Sequence, residues 1–301
     1  MNALLYLSTV LIWGTTWIAI KVQLGVVPIP LSIAYRFFLA AAALFAILAW
    51  RGQLRRPRGE AFGLIAAQGL ALFCCNFLCF YYASHYLPSG LVAVVFSTAT
   101  LWNALNARLI LKRHIAPQVM AGGALGLAGI ATLFWPQLAG HSTDGGTLLG
   151  LGLSILGTLC FSAGNLLSAR LQGLGHTPLQ TNAWAMLTGA LILLAGSLAA
   201  GLPLTLDTSP HYLSALLYLA IPGSVIGFTA YLMLVGRLGP ERAAYCTVLF
   251  PVVALNVSVW LEGYRWTPLA LAGLVLVLAG NVLVFRQPAR QTTAHAASRA
   301  A

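Results

Sequence analysis

Trp13, Trp17 and Lys21 stand at i, i+4 and i+8, so an α-helix would carry all three on one face. Thr98, Trp102 and Asn106 repeat that spacing, with Asn103 beside them. Asn76 and Phe80 lie one turn apart, followed by Tyr81–Tyr82 and His85. Tyr245, Leu249, Val252 and Asn256 would share another face, close to Pro251. Asn165 comes with Ser162 and Ser168, and Tyr231 with Ser224 and Phe228. Rings stack on flat apolar groups, while amides and hydroxyls bind ammonium and carboxylate. Such a set suits the binding of an aromatic side chain attached to a zwitterion.

Each of these groups has a plainer use. Trp13 and Trp17 could face lipid, with Lys21 snorkelling to the interface. Asn76 could spend its amide on a neighbouring helix. Pro251 either kinks a helix as packing or leaves a backbone carbonyl free for a substrate ammonium. Lys21, His85 and Pro251 are the candidates for gating or charge handling, with Lys21 near an outer mouth.

Bond-making chemistry has little to stand on. The sequence has no His-Glu-x-x-His helix, and its two aspartates, Asp144 and Asp207, lie between apolar runs. No serine has a histidine or lysine beside it at membrane depth. Cys74, Cys75, Cys79, Cys160 and Cys246 all sit inside apolar stretches, as small core residues do, and have no metal-ligand spacing. Neither a metal nor another cofactor is implied, and the chain does not look like an enzyme.

The elements that must position these residues are membrane spans. Of 301 residues, 59% are hydrophobic and 7% charged, with a mean hydropathy of +0.87. A soluble domain carries about 25% charged residues, so most of this surface faces lipid. The net charge of +11 does not signal nucleic acid, because the positives sit at the ends of apolar runs and form no stripe. A span needs about 20 mostly apolar residues. Ten are predicted: 3–23, 31–50, 61–84, 89–111, 117–136, 147–170, 178–200, 210–236, 241–261 and 267–286. The first is too long, and has too few preceding positives, for a cleavable signal. Short connections leave no room for a soluble domain.

Residues 11–50 recur loosely about 149 positions later, with Lys21 on Arg170, Tyr35 on Trp184 and the gap at Pro28/Pro30 on Pro178. Pro88 to Gly129 recurs as Pro240 to Gly280. The chain is therefore a tandem: a first unit over 3–136, a second over 147–286 and a cytoplasmic tail over 287–301. Thirteen of the sixteen Lys and Arg residues fall on one side of the predicted topology, which sets both termini in the cytoplasm. Five spans per unit is an odd number, so the two copies are inverted in the membrane, as in many secondary transporters. Gly122, Gly126 and Gly129 in span five, and Gly273 and Gly280 in span ten, suit struts between the halves or an oligomer contact. The chain could be a monomer or a homodimer.

WGTTWIAIK (13–21), the proline gap and AYRFFLAAA resemble an EamA unit of the drug/metabolite transporter superfamily. SAGNLLSAR, PLQTNAWAMLTGA, LFPVVALNVSVWLEG and TPLALAGLVLVLAG resemble the second unit. Together the likeness spans about 3–286, and within the superfamily it is nearest to bacterial aromatic amino-acid exporters. It implies an all-α inner-membrane carrier with ten transmembrane helices in two inverted repeats, exporting chiefly aromatic amino acids. Many EamA units carry a Glu near the end of their fourth helix. Here the second copy has Glu262, but the first has Lys112 and Arg113.

None of the five acids, Glu60, Asp144, Asp207, Glu241 and Glu262, falls in mid-span. Export without a dedicated coupling ion is therefore expected, with proton coupling through His85 or Glu262 as the alternative. A drug-like amine is the alternative substrate, since cations also favour aromatic walls. A channel would dispense with the moving halves that inversion serves.

Overall fold

The computed structural model describes residues 2–111, 117–135, 145–239, 243 and 246–285, and these are helical throughout apart from short connections. The helices follow the predicted spans: α1 (Asn2–Val22), α2 (Ile29–Trp50), α3 (Glu60–Tyr86), α4 in two pieces (Ser89–Phe96 and Ala99–Leu111), α5 (Pro117–Leu133), α6 (Gly145–Gly173), α7 (Pro178–Ala199), α8 (Pro210–Leu238), α9 (Cys246–Glu262) and α10 (Pro268–Phe285). Among the described residues, six of them are long and apolar enough to cross a membrane: α1, α2, α3, α6, α7 and α8. The tail after 285 lies outside the described residues, as do Lys112, Arg113 and Tyr245.

Helix starts follow elementary rules. Pro178 and Pro210 open α7 and α8, where a missing N–H costs nothing. Thr177 and Ser209 precede them, and their hydroxyls accept the N–H groups of Gln180 and Tyr212. Thr267 does the same for Ala270 at the start of α10, at 3.1 Å.

The helices pack in a pattern with a pseudo-twofold axis. Matching α1 to α6, α2 to α7 and so on, most contacts between the halves have a mirror. α1 packs on α9 and α6 on α4; α1 on α8 and α6 on α3; α2 on α8 and α7 on α3. The contacts α2–α7, α4–α9 and α5–α10 are each their own mirror image. Neither half builds a core alone, because most of its packing partners belong to the other copy.

α3 and α8 also share a local distortion. Gly69–Cys75 in α3 and Leu219–Ile226 in α8 are wound as π-helix. The wider turn shifts hydrogen bonds from i−4 to i−5 and often marks a functional position. In α8 the cause is visible: Pro222 has no N–H to donate, and the Ser224 hydroxyl bonds back to the Leu219 carbonyl at 2.8 Å.

α5 and α10 lie against each other along their glycines. A Cβ on Gly129 would sit 2.7 Å from the Gly273 carbonyl, and one on Gly273 would sit 2.7 Å from the Gly129 carbonyl. The small-residue faces are thus used within the chain, as struts between the halves. All five cysteines carry free thiols, and Cys74, Cys79 and Cys246 are buried.

Candidate functional site

At the centre of the bundle lies a small void of about 40 Å³. α1 supplies Trp13, Thr16, Trp17 and Ile20 to its wall, and α3 supplies Asn76, Phe77 and Phe80. Arg36 of α2, Phe96 of α4, Phe161 of α6 and Phe228 of α8 complete it. The rings form a continuous lining. Trp13 lies 4.6 Å from Phe228 and 5.0 Å from Tyr231, centroid to centroid, and Trp17 meets Phe80 edge-on at 5.2 Å. Phe96 and Phe250 stack in parallel at 6.0 Å.

The polar atoms of this wall are held from the second half of the chain. Trp13 donates its indole N–H to the Gly223 carbonyl at 3.0 Å, and Arg36 donates from Nε to Ser224 Oγ at 2.9 Å. Both acceptors belong to the π-helical turn of α8, which turns a carbonyl and a hydroxyl toward α1 and α2. Gly227, one turn on, leaves room for the Trp13 ring: a Cβ there would overlap the indole. Asn76 donates to the Gly157 carbonyl of α6 at 2.9 Å. The Trp17 indole N–H is buried without a partner among the described residues.

Ligand pockets measure roughly 300–1,000 Å³. A void of about 40 Å³ holds no more than a few waters. The void as described is too small for a metabolite.

Toward the Lys21 end, a recess of about 600 Å³ is lined by Ile18, Lys21, Tyr86, Leu87, Leu261 and Glu262. Glu262 ties three helices together there. Its carboxylate pairs with Lys21 of α1 at 3.5 Å and accepts the Ser89 backbone N–H of α4 at 3.1 Å. The Ser89 hydroxyl also donates to it, as does Ser258 of its own helix at 2.6 Å. Lys21 further donates to the Leu87 carbonyl at 3.2 Å. The mirror cation, Arg170, pairs with Glu60 of α3 instead, with both side chains more than half exposed.

Several expected site residues come together at the void: Trp13, Trp17, Asn76 and Phe80 line it directly. Asn165 and Tyr231 stand just behind, joined by a 3.1 Å hydrogen bond, with the Tyr231 ring against Trp13. The Thr98–Trp102–Asn106 stripe is separate. Trp102 donates to Thr98 Oγ at 3.1 Å and Asn106 to the Leu159 carbonyl of α6 at 3.2 Å, so this stripe joins α4 to α6 outside the void.

Two expectations are corrected. Tyr82 is exposed, because it lies about 200° around the helix from Phe80. Asn256 is exposed as well, together with Leu249 and Val252. Its amide bonds the Val252 carbonyl of its own helix at 2.6 Å and needs no partner inside. The inward face of α9 is instead Phe250, Pro251, Ala254 and Leu255. Pro251 is buried in that packing face and His85 is exposed beside Tyr86, so neither touches the void. Tyr245 lies outside the described residues.

Arg36 stands in the wall although spacing alone gives it no place among the candidate site residues. The available signal was an arginine five residues inside an apolar run that contains no acid. Pro222 inside span eight was the signal for the π-turn that holds it.

The profile of the EamA-like transporter family matches residues 1–135 and again 148–286. The "Probable amino-acid metabolite efflux pump" of Salmonella typhimurium is 27% identical over 300 residues, covering 95% of this chain and 96% of the relative. The "Uncharacterized inner membrane transporter YedA" of Escherichia coli is 29% identical, covering 91% and 87%. The "Probable terminal-alkyne amino-acid exporter" of Streptantibioticus cattleyicolor is 29% identical, covering 93% and 91%. A solved crystal structure superposes with a TM-score of 0.70 at 19% identity, over 94% of this chain and 96% of that one, which shows the shared fold.

Proposed function

The chain belongs to the EamA-like transporter family, and we propose that it exports neutral amino acids, chiefly Phe, Tyr and Trp, by alternating access across a bacterial inner membrane. The observation that carries the substrate class is the central void, where seven aromatic rings surround one arginine, one asparagine and one threonine. Rings of that density favour a flat apolar side chain, and the few polar groups suit a small zwitterion. Relatives named as an amino-acid metabolite efflux pump and an amino-acid exporter support the same reading.

The mirrored packing supports alternating access. Two copies that pack mainly on each other can exchange the roles of inner and outer gate by rocking about the shared site. The charge distribution supports cytoplasmic termini, which puts the Lys21–Glu262 tie at the outer face and makes it the closed outer gate of this conformation. The Gly-lined α5–α10 pair would then act as a strut outside the moving bundle. Among the described residues, Glu60 is engaged by Arg170 and Glu262 by Lys21 and two serines, which supports transport without a coupling ion.

Proteoliposome counterflow tests this function. Vesicles preloaded with unlabelled phenylalanine are expected to accelerate entry of labelled phenylalanine, with tyrosine and tryptophan competing and lysine and glutamate not. No acceleration by any amino acid would overturn the substrate class. A strict dependence on an imposed pH gradient would overturn the uncoupled mechanism.

A further inference from the structure

We propose that Arg36 is the anchor for the carboxylate of the transported substrate, so that the site selects aromatic or apolar acids over the corresponding amines. The proposal rests on the amino-acid reading above and deepens it. Arg36 is 2% exposed and is among the largest fully buried side chains of the chain. It lines the central void, and its Nη1 is buried with no hydrogen-bond partner among the described residues. Its Nε is already committed to Ser224 Oγ. That bond fixes one edge of the guanidinium, the buried Tyr81 hydroxyl meets the group as well, and Nη1 is left unspent.

No carboxylate of the described residues compensates this charge. Glu60 pairs with Arg170 and Glu262 with Lys21, while Asp207 accepts the Ser209 N–H in the connection before α8. A buried charge left unpaired is among the least stable arrangements a fold can keep. Its persistence here is explained if a carboxylate arrives as a ligand. The guanidinium lies 4.5 Å from the Phe77 ring centroid and 5.3 Å from that of Phe37, which holds its plane in place and offsets part of the missing hydration. The room beside it is kept by Gly223, where a Cβ would come within 3.5 Å of Nη2 and 3.0 Å of Thr16. An arginine fork presented this way matches the two oxygens of one carboxylate. The rings of Trp17, Phe80 and Phe96 stand on the same void to receive the rest of the molecule.

Three probes sharing one phenyl group test the assignment: L-phenylalanine, 3-phenylpropionate, which keeps only the carboxylate, and phenethylamine, which keeps only the amine. Binding is followed by tryptophan fluorescence of the purified full chain. The wild type is expected to bind the two carboxylates roughly 10–100-fold more tightly than the amine, the range for hydrogen bonds to a charged group. Arg36→Gln is expected to lose that preference by weakening the two carboxylates while phenethylamine binds no less tightly, and Arg36→Lys is expected to restore part of it. Equal weakening of all three probes in Arg36→Gln would make Arg36 a purely structural residue and overturn the anchor. So would a wild type that binds phenethylamine as well as phenylalanine, a result that needs no variant to fold. Counterflow separates this from the transport reading. Amino-acid exchange with unchanged probe preference in Arg36→Gln sinks the anchor alone. Tight 3-phenylpropionate binding without amino-acid exchange sinks the amino-acid function alone.

Discussion

The two halves of the chain share a fold and divide the labour of the site. Nine of the eleven side chains on the void come from the first half, and the second supplies only Phe161 and Phe228. Yet the second half holds the acceptors: the carbonyls of Gly157 and Gly223 and the hydroxyl of Ser224 fix Asn76, Trp13 and Arg36. One copy lines the site and the other aims it. Duplication made this possible, because mirrored packing needs only matching shapes, while a single central void needs its chemistry once. Trp13 and Trp17 therefore have Ser162 and Leu166 as their mirror positions.

The sharpest way to break that comparison is to truncate mirror positions. Trp13→Ala removes contacts to Phe161, Phe228, Tyr231 and Phe250 along with the bond to Gly223. Removing a buried tryptophan costs about 3–5 kcal/mol, and exchange of aromatic amino acids is expected to fall at least ~100-fold. Ser162→Ala removes a buried hydroxyl that has no partner among the described residues, so it is expected to be neutral or slightly stabilising. Thermal unfolding in detergent and initial exchange rates, compared at equal reconstitution, report both effects. Comparable damage from the two variants would mean that the second half lines the site as much as the first.

Much of this was legible from residue spacing. The tandem repeat, the span pattern and the inward face of Trp13 and Trp17 follow from periodicity and from the scarcity of charge, because lipid admits few alternatives. Phe80 and Asn76 followed in the same way. What stayed hidden depended on hydrogen-bond register and on local satisfaction. A π-turn leaves no compositional trace beyond Pro222, so the acceptors at Gly223 and Ser224 could not be placed. Asn256 seemed bound to face inward, but it bonds its own helix and sits outside. Arg36 belongs with these, because a charge with no acid in its run is better evidence about a site than about orientation.

A smaller effect sharpens the same asymmetry at the two ends of the bundle. Lys21 and Arg170 are mirror positions, but their ties differ in kind. Glu262 is 11% exposed and gathers a lysine, two hydroxyls and a backbone N–H from three helices. Glu60 and Arg170 are 57% and 63% exposed and make a simple surface pair. Hydrogen bonds to a charged group contribute about 1.5–3 kcal/mol each, whereas an exposed ion pair contributes about 0–1 kcal/mol. Glu262→Gln should therefore open the Lys21 end about 10–100-fold more often. Arg170→Gln should change the opposite end less than about fivefold. Ile20 lines the void below the Glu262 tie and is 3% exposed, so Ile20→Cys is a suitable reporter. Its labelling by an impermeant maleimide should speed up in the Glu262→Gln background and stay near its starting rate with Arg170→Gln. Equal acceleration by both substitutions would show that the ends are closed by the same kind of contact. The asymmetry between the halves would then be confined to the central void.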